Sequence, residues 1–530
     1  MKNRFFIVTL FLFLAFAIRV INIDFPSLSF EEARIAARGY MLITQGTDEL
    51  GRLSPFLFNA LHDYQLPVTS YLTAGGEAIF GKSDLGVRIP FILIGILISL
   101  LTFQVAKFFS PNFFFRITSA IITAFSPALI VLSKVPNETI VLTFILLLLF
   151  YLLITRKNLI VIILTMVIAI LVSKLAWLII PPFVFFTIFF YSEPIKQKRQ
   201  LILISSAILI TLSIFIFYLT IPQAKRSLLE NNFSLFSDVT IKNGIDTLRG
   251  QGLESSWPSF LERVLFNKSH YLITGFLHWI SHLNPAIYFG QFDSSGKLNF
   301  SQIGALSKIL IIPATFGVIF LIKKGDKKSR FLFAYFLILT FPSLFIYPNL
   351  SLELAVITIP FVSLIMAFGI SQIKEKLALA ILFIMMFELF VNMINLTPEY
   401  KNTNNLRPAW VKDIASDISS SSKEFPTAVS DDIVSDIVPL IQWYGPTIQG
   451  EFSSISYPYK FRQYNLADIK IMGSDQNFST CSTNEHQRLF ISKRDLEKAQ
   501  KAKEVKISKI YRDNLGTDRV FAVLEDICIR

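Results

Sequence analysis

Ser29-Phe30-Glu31-Glu32-Ala33-Arg34-Ile35-Ala36-Ala37-Arg38 packs two adjacent carboxylates and two arginines into a short piece directly after the first apolar segment. Read as a helix, it sets Glu31 beside Arg34 three positions on and Ile35 four positions on. One face then carries a carboxylate, a guanidinium and an apolar contact. A carboxylate next to a guanidinium is a base beside an anion-binding group. Further ionisable residues stand at the outer ends of apolar segments: Arg88, the turn Ser133-Lys134-Val135-Pro136-Asn137-Glu138, and Lys174. Such groups are costly near hydrocarbon and usually face a cavity or a partner. Carboxylates facing cations suit a reaction in which a hydroxyl loses its proton while a phosphate leaves, because the base needs a carboxylate and the departing anion needs Arg or Lys. The plainer alternative is an interfacial helix whose charges sit in water and among head groups, with Arg88 and the lysines snorkelling to the interface.

The elements that must position these residues are membrane helices. The chain has 530 residues, 53% hydrophobic and 17% charged, and its repeated apolar runs of about twenty residues read as a polytopic α-helical membrane protein. A net charge of +12 raises the question of nucleic acid. The lysines and arginines lie in short loops between apolar runs, however, so membrane orientation explains them, and lipids rather than nucleic acid are the expected partner. Met1 to Val20 has the basic start and the Ala15-Phe16-Ala17 end of a signal peptide. Apolar character continues to Ile23, so it is read as a first span, 5–23, leaving a cytoplasmic N-terminus.

Ten more spans follow, at 89–109, 114–132, 139–155, 159–173, 175–191, 201–221, 303–322, 331–347, 353–371 and 377–396. Residues 64–80 are apolar but short and carry Glu77. Counting them as a span would put several basic loops outside, so they read as a juxtamembrane helix on the outer face. This gives a membrane domain, 1–396, with outer loops at 24–88 and 222–302, the second including a surface-lying aromatic segment from His270 to Phe289. From Thr397 the composition turns to Asn, Asp, Ser and Lys, which marks a soluble extracytoplasmic domain, 397–530. Its alternation of helical pieces (Trp410–Ser419, Ile433–Trp443, Leu496–Glu504) with strands at Thr427, Arg488, Val505 and Val520 suggests a small α/β domain. Cys481 and Cys528 both lie in it and can pair only if it faces an oxidising compartment.

The sequence holds no nucleotide-binding glycine loop, zinc-type Cys/His spacing or nucleophile elbow, so a sugar donor would have to be lipid-carried. His270, His278 and His282 are the weak candidates for a divalent metal, and no cofactor is otherwise indicated.

The motifs resemble those of the GT-C-fold glycosyltransferases that use polyprenyl-phosphate sugars, near the protein O-mannosyltransferases and the lipid A aminoarabinose transferases. Their Asp-Glu-x-Arg piece after the first span is matched by Glu31-Glu32-Ala33-Arg34. Their proline-initiated juxtamembrane helix ending in Phe-Gly, with an Arg beyond, is matched by Pro67 to Phe80-Gly81 and Arg88. Ser133-Lys134 through Glu138 is similar to the family's turn after the third span, and His278-Trp-Ile-Ser-His-Leu-Asn-Pro is similar to a segment of bacterial members.

The resemblance implies an inverting transfer at the extracytoplasmic face. Glu31 would be the general base, Glu32 a positioning acid, Arg34 and Arg88 the cations at the donor phosphate, joined by Lys134 and Lys174, and Glu138 a second acid. The partners implied are a polyprenyl-phosphate sugar and an acceptor that is a protein, glycan or lipid. This chain departs from the pattern in having Glu where the family's base is usually Asp, and Leu66 where some members carry a basic residue before the proline. Two other classes stay open on the residues alone. A flippase of lipid-linked saccharides would show charges buried mid-span, discontinuous helices and a repeat between halves; no repeat is found, and the charges sit at one face instead. A non-catalytic sugar-binding scaffold differs from an enzyme only in turnover.

Overall fold

The computed structural model describes residues 2–21, 23, 28–48, 51–58, 64–191, 197–222, 224–225, 228, 235, 239–254, 260, 268–290, 304–324, 327–346, 351–402, 411–421, 427–430, 433, 437–445, 464–466, 469–472, 478–480, 487–502, 506–512, 518–525 and 527–529. In chain order the helices are α1 Lys2–Val20, α2 Phe30–Thr44, α3 Val68–Phe80, α4 Asp84–Phe109, α5 Phe113–Ala124, α6 Pro127–Leu132, α7 Glu138–Ile154, α8 Leu159–Val172, α9 Leu175–Tyr191, α10 Gln197–Thr220, α11 Val239–Glu254, α12 Lys268–Ser281 and α13 Ala286–Phe289. They continue as α14 Ile311–Lys324, α15 Lys327–Thr340, α16 Ser351–Ser371, α17 Glu375–Asn402, α18 Val411–Ser421, α19 Ile437–Tyr444 and α20 Lys493–Ala502. Eight strands all lie beyond residue 426: β1 Thr427–Ser430, β2 Tyr464–Leu466, β3 Ile469–Met472, β4 Phe478–Thr480, β5 Gln487–Ser492, β6 Ile507–Arg512, β7 Asp518–Glu525 and β8 Ile527–Ile529.

The chain divides into two compact units, one of Met1–Ile21 with Phe91–Met393 and one of Asn22–Pro90 with Ile394–Arg530. Among the described residues four helical stretches are long and apolar enough to cross a membrane: Asp84–Phe109, Lys198–Thr220, Glu353–Ser371 and Glu375–Ile394. Six more apolar helices are shorter. Some of the shortness has a local cause. The segment expected to span 114–132 is two helices, because Pro127 has no N–H to continue the ladder and its ring disfavours helix at Ser126. Ser126 caps the new start, accepting from Leu129 N at 3.5 Å, while its hydroxyl donates to the Ala305 carbonyl at 2.8 Å. In the same way Asn112, Asn137 and Asn158 cap α5, α7 and α8, each side chain accepting from the amide two residues on. Helix α15 likewise tightens into a 3-10 turn at Phe341-Pro342.

Helices α14 and α16 meet at glycine. A Cβ on Gly369 would stand 1.9 Å from the Pro313 carbonyl oxygen, and one on Gly317 2.1 Å from that of Ile365. Small residues are what let helix backbones approach this closely. Gly369→Leu is therefore expected to lower the thermal midpoint of the detergent-solubilised protein, at the scale of about 1–3 kcal/mol seen for overpacking. An unchanged melting curve would rule out this contact as a packing constraint.

The second unit joins the segment before Pro90 to the C-terminal region, which carries a mixed sheet. Its strand order is β2-β3-β1-β5-β7-β6, with β1 parallel to β3 and β5 and the remaining pairs antiparallel. Strands β4 and β8 form a separate ladder. Side chains alternate across the sheet with period two. Ala428, Leu489, Ile491, Phe521 and Val523 pack under α20 through Leu496 and Ala499. Val429, Phe490, Val520 and Ala522 face the other way, into a core with Ile414 and Ile418 of α18 and Leu440, Ile441 and Trp443 of α19. That core also takes Leu28, Ala33, Ala36 and Val87 from the N-terminal part of the unit. Cys481 lies outside the described residues, as do Trp410 and Val505.

Candidate active site

Helix α2 starts where the sequence concentrates its acids. Ser29 is the N-cap: its hydroxyl accepts from Glu32 N at 3.3 Å, and Glu32 Oε2 accepts from Ser29 N at 3.3 Å, a reciprocal capping box. Glu32 is thereby buried and tied to the helix start, while Glu31, one residue earlier, is exposed. Both acids sit in the first turn, where the helix dipole favours negative charge. Arg34 is half-buried one turn on.

The next turn is structural. Arg38 is fully buried, donates to Gln65 Oε1 at 2.7 Å and lies over the Phe58 ring at 5.2 Å, while Gln65 donates on to Thr69 at 3.2 Å. Helices α2 and α3 touch at Gly39, where a Cβ would stand 2.8 Å from Glu77 Oε2 and 3.0 Å from Ala74 N. Arg88, at the start of α4, is fully buried and donates to the Ile23 carbonyl. Glu31, Glu32, Arg34 and Arg88 thus fall in one compact unit.

Glu77 adds a group that the site residues read from sequence do not include. It is 3% exposed, and neither carboxyl oxygen has a hydrogen-bond partner. Burial pushes its carboxyl up to about 9, against the pull of Lys82. The folded chain then holds a proton that the unfolded chain gives up near 4.5, so stability falls as pH rises from about 4.5 towards about 9. Glu77→Gln is expected to flatten that slope when thermal midpoints are compared between about pH 5 and pH 9. Parallel slopes for the parent and the variant would contradict a protonated Glu77.

The remaining sequence candidates belong to the other unit. Lys134 is buried, and its ammonium donates to the Ile21 carbonyl at 2.8 Å. Beside it in the chain, the Ser133 hydroxyl accepts from Arg19 Nε at 3.1 Å, and Arg19 also donates to the carbonyls of Ala15 at 2.9 Å and Ala124 at 2.8 Å. Arg19 is fully buried and is not among the sequence candidates, although a cation inside an apolar run is a readable signal. Glu138 opens α7 and is half-buried. Lys174 is half-buried over the Tyr218 ring, at 5.2 Å.

His278 and His282 share a face of α12, with ring centroids 5.5 Å apart. His278 Nδ1 donates to the Ser343 carbonyl at 2.9 Å. Burial lowers both imidazoles, His282 to about 4, so both are neutral at pH 7. Two neutral imidazoles supply two ligands, and a divalent ion there would take the rest from water or substrate. His270 stands two turns earlier, and among the described residues no three His, Cys, Asp or Glu side chains converge.

The fold is that of the GT-C-type membrane transferases, and the chain is a multi-pass membrane protein. Residues 65–221 match the family model described as dolichyl-phosphate-mannose-protein mannosyltransferase. Among solved structures the chain is similar to ArnT from Cupriavidus metallidurans bound to undecaprenyl phosphate, at 12% identity over 98% of this chain and 97% of that one, with a TM-score of 0.52. It also aligns with the oligosaccharyltransferase AglB from Archaeoglobus fulgidus in complex with an inhibitory peptide and a dolichol-phosphate, at 12% identity over 82% of this chain and 63% of that one, TM-score 0.45. No curated protein sequence matches.

Proposed function

We propose that this chain is a membrane glycosyltransferase that moves a sugar from a polyprenyl-phosphate-linked donor to an acceptor hydroxyl at the extracytoplasmic face, with inversion. The observation that carries the reading is Glu31, an exposed carboxylate at the start of a helix whose first turn is locked by the Ser29–Glu32 capping box. Glu31 takes the acceptor proton as the acceptor oxygen bonds to the anomeric carbon. The bond from that carbon to the phosphate oxygen breaks on the opposite face, and polyprenyl phosphate leaves with the electron pair. A single displacement inverts the centre. Glu32 holds the geometry, and Arg34 and Arg88 serve the leaving phosphate, where fixed cations stabilise developing charge. Lys134 and Lys174 are proposed as further donor-side cations and Glu138 as a second acid.

The family model over residues 65–221 and the ArnT fold support a lipid-phosphate donor. The N-terminus is placed in the cytoplasm and residues 397–530 outside, following the basic loops. The test is transfer of radiolabelled sugar from a panel of polyprenyl-phosphate sugars by membranes containing the protein. Label is expected to move from at least one donor into acceptor. Membranes that move none above those lacking the protein would overturn the reading.

A further inference from the structure

The reaction as written gives the C-terminal region no part, yet that region holds the start of α2. The capping box is local, and the angle at which the chain enters it is set by the residue before the cap. That residue is Leu28, fully buried in one core with Ala33, Leu440, Ile441 and Trp443, so the position before the cap and the fourth helical position are pinned together. The Leu28 N–H donates to the Tyr444 hydroxyl at 3.3 Å, across 416 positions of sequence.

Tyr444 is itself fixed. Lys412 of α18 stands 5.1 Å over its ring and pairs with Asp84 at 2.8 Å. On the neighbouring residue, Lys82 lies 5.6 Å over the Trp443 ring and 5.2 Å over Tyr40 of α2. Lys82 also donates to the carbonyls of Gly445 at 2.9 Å and Gln442 at 3.4 Å, where the C-terminus of α19 favours a cation. Burial and the Asp84 carboxylate push the Tyr444 phenol up, so it stays protonated, with Arg88 and Glu32 also acting on it.

The geometry points to Tyr444 as a positioning residue for the acid-bearing helix: its hydroxyl fixes the backbone entering the Ser29 cap and hence the direction in which Glu31 is presented. This rests on the proposed role of Glu31 as base. The function of the C-terminal region is then part of the transferase site itself, through a group that does not touch substrate.

The experiment uses the full chain in membranes and Tyr444→Phe, which keeps the ring and removes only the hydroxyl. Expected are a fall in kcat of about tenfold with KM for the donor within about twofold, the pattern of lost transition-state alignment rather than lost binding. Amide exchange of residues 28–32 should accelerate. In the Glu31→Gln background the same change should lower transfer no further, since both act through one carboxylate. Tyr511→Phe, which removes a hydroxyl bonded to Asp417 in the same unit, is the control and should leave kcat and exchange unchanged. Unaltered exchange at 28–32 in Tyr444→Phe, or an equal loss of kcat in Tyr511→Phe, would overturn the assignment. If no donor supports transfer, the proposed function falls, while the exchange measurement still decides whether Tyr444 holds the helix start.

Discussion

Glu31→Gln is expected to lower sugar transfer by about 10²–10⁴-fold, the span usually lost when a general base is removed. Glutamine keeps the size of the side chain and its place one residue before the cap-bonded Glu32, so the helix should survive the change. The loss should fall on kcat and kcat/KM together, since the carboxylate acts only as the acceptor hydroxyl is deprotonated. Raising the pH should not rescue the variant, because an amide does not become a base at any accessible pH. Label transfer at the parental rate would move the base elsewhere, with Glu32 and Glu138 as the remaining candidates. Glu32→Ala serves as the contrast: it removes the oxygen that accepts from Ser29 N, so loss of that role should appear in stability as well as in rate.

The second large effect is expected at Arg88. Its guanidinium is fully buried and donates to the Ile23 carbonyl, just ahead of the chain that enters α2. Arg88→Gln removes a cation and weakens a buried main-chain partner, a combination that costs about 1–3 kcal/mol when the acceptor is left unsatisfied. If the arginine also serves the donor phosphate, KM for the lipid-linked sugar should rise by about tenfold or more, and Arg88→Lys should recover part of it. Donor titrations beside thermal melts separate the two roles. A lower melting midpoint with unchanged donor KM would leave Arg88 as a purely structural residue.

The parts of this site that were readable from sequence are the parts made by neighbours in the chain. Helix α2 followed from charge spacing, and α3 from Pro67 ahead of an apolar run that ends at Gly81. Strands β1, β5 and β7 followed from short apolar runs in a polar region, and the run read at Val505 reaches β6 only at Ile507; β2, β4 and β8, at three residues each, are too short to establish a period. The capping box was equally local, since Ser29 and Glu32 stand three apart, and it explains one of the two adjacent acids as a structural device. Arg38 shows the limit of residue type. It is one of the two arginines of the charged stretch, but Gln65 and the Phe58 ring take it into the interior. Nothing local marks Tyr444, because its partner Leu28 is a main-chain amide in another part of the sequence. The break at Ser126–Pro127 was legible in principle, and an uninterrupted apolar run hides it when only hydropathy is counted.

The shared core of the second unit also sets an order of manufacture. Leu28, Ala33, Ala36 and Val87 leave the ribosome early, and the side chains they pack against, from Ile414 to Ala522, come last. At roughly 5–20 residues per second, the roughly 350 residues between the first loop and α19 take about 20–70 s to synthesise. Over that interval the apolar face of the acid-bearing segment waits for the residues that cover it. A nascent or truncated product would therefore present an unfinished second unit, open to proteases and holdases, and would become competent only once the residues through Ala522 have been made.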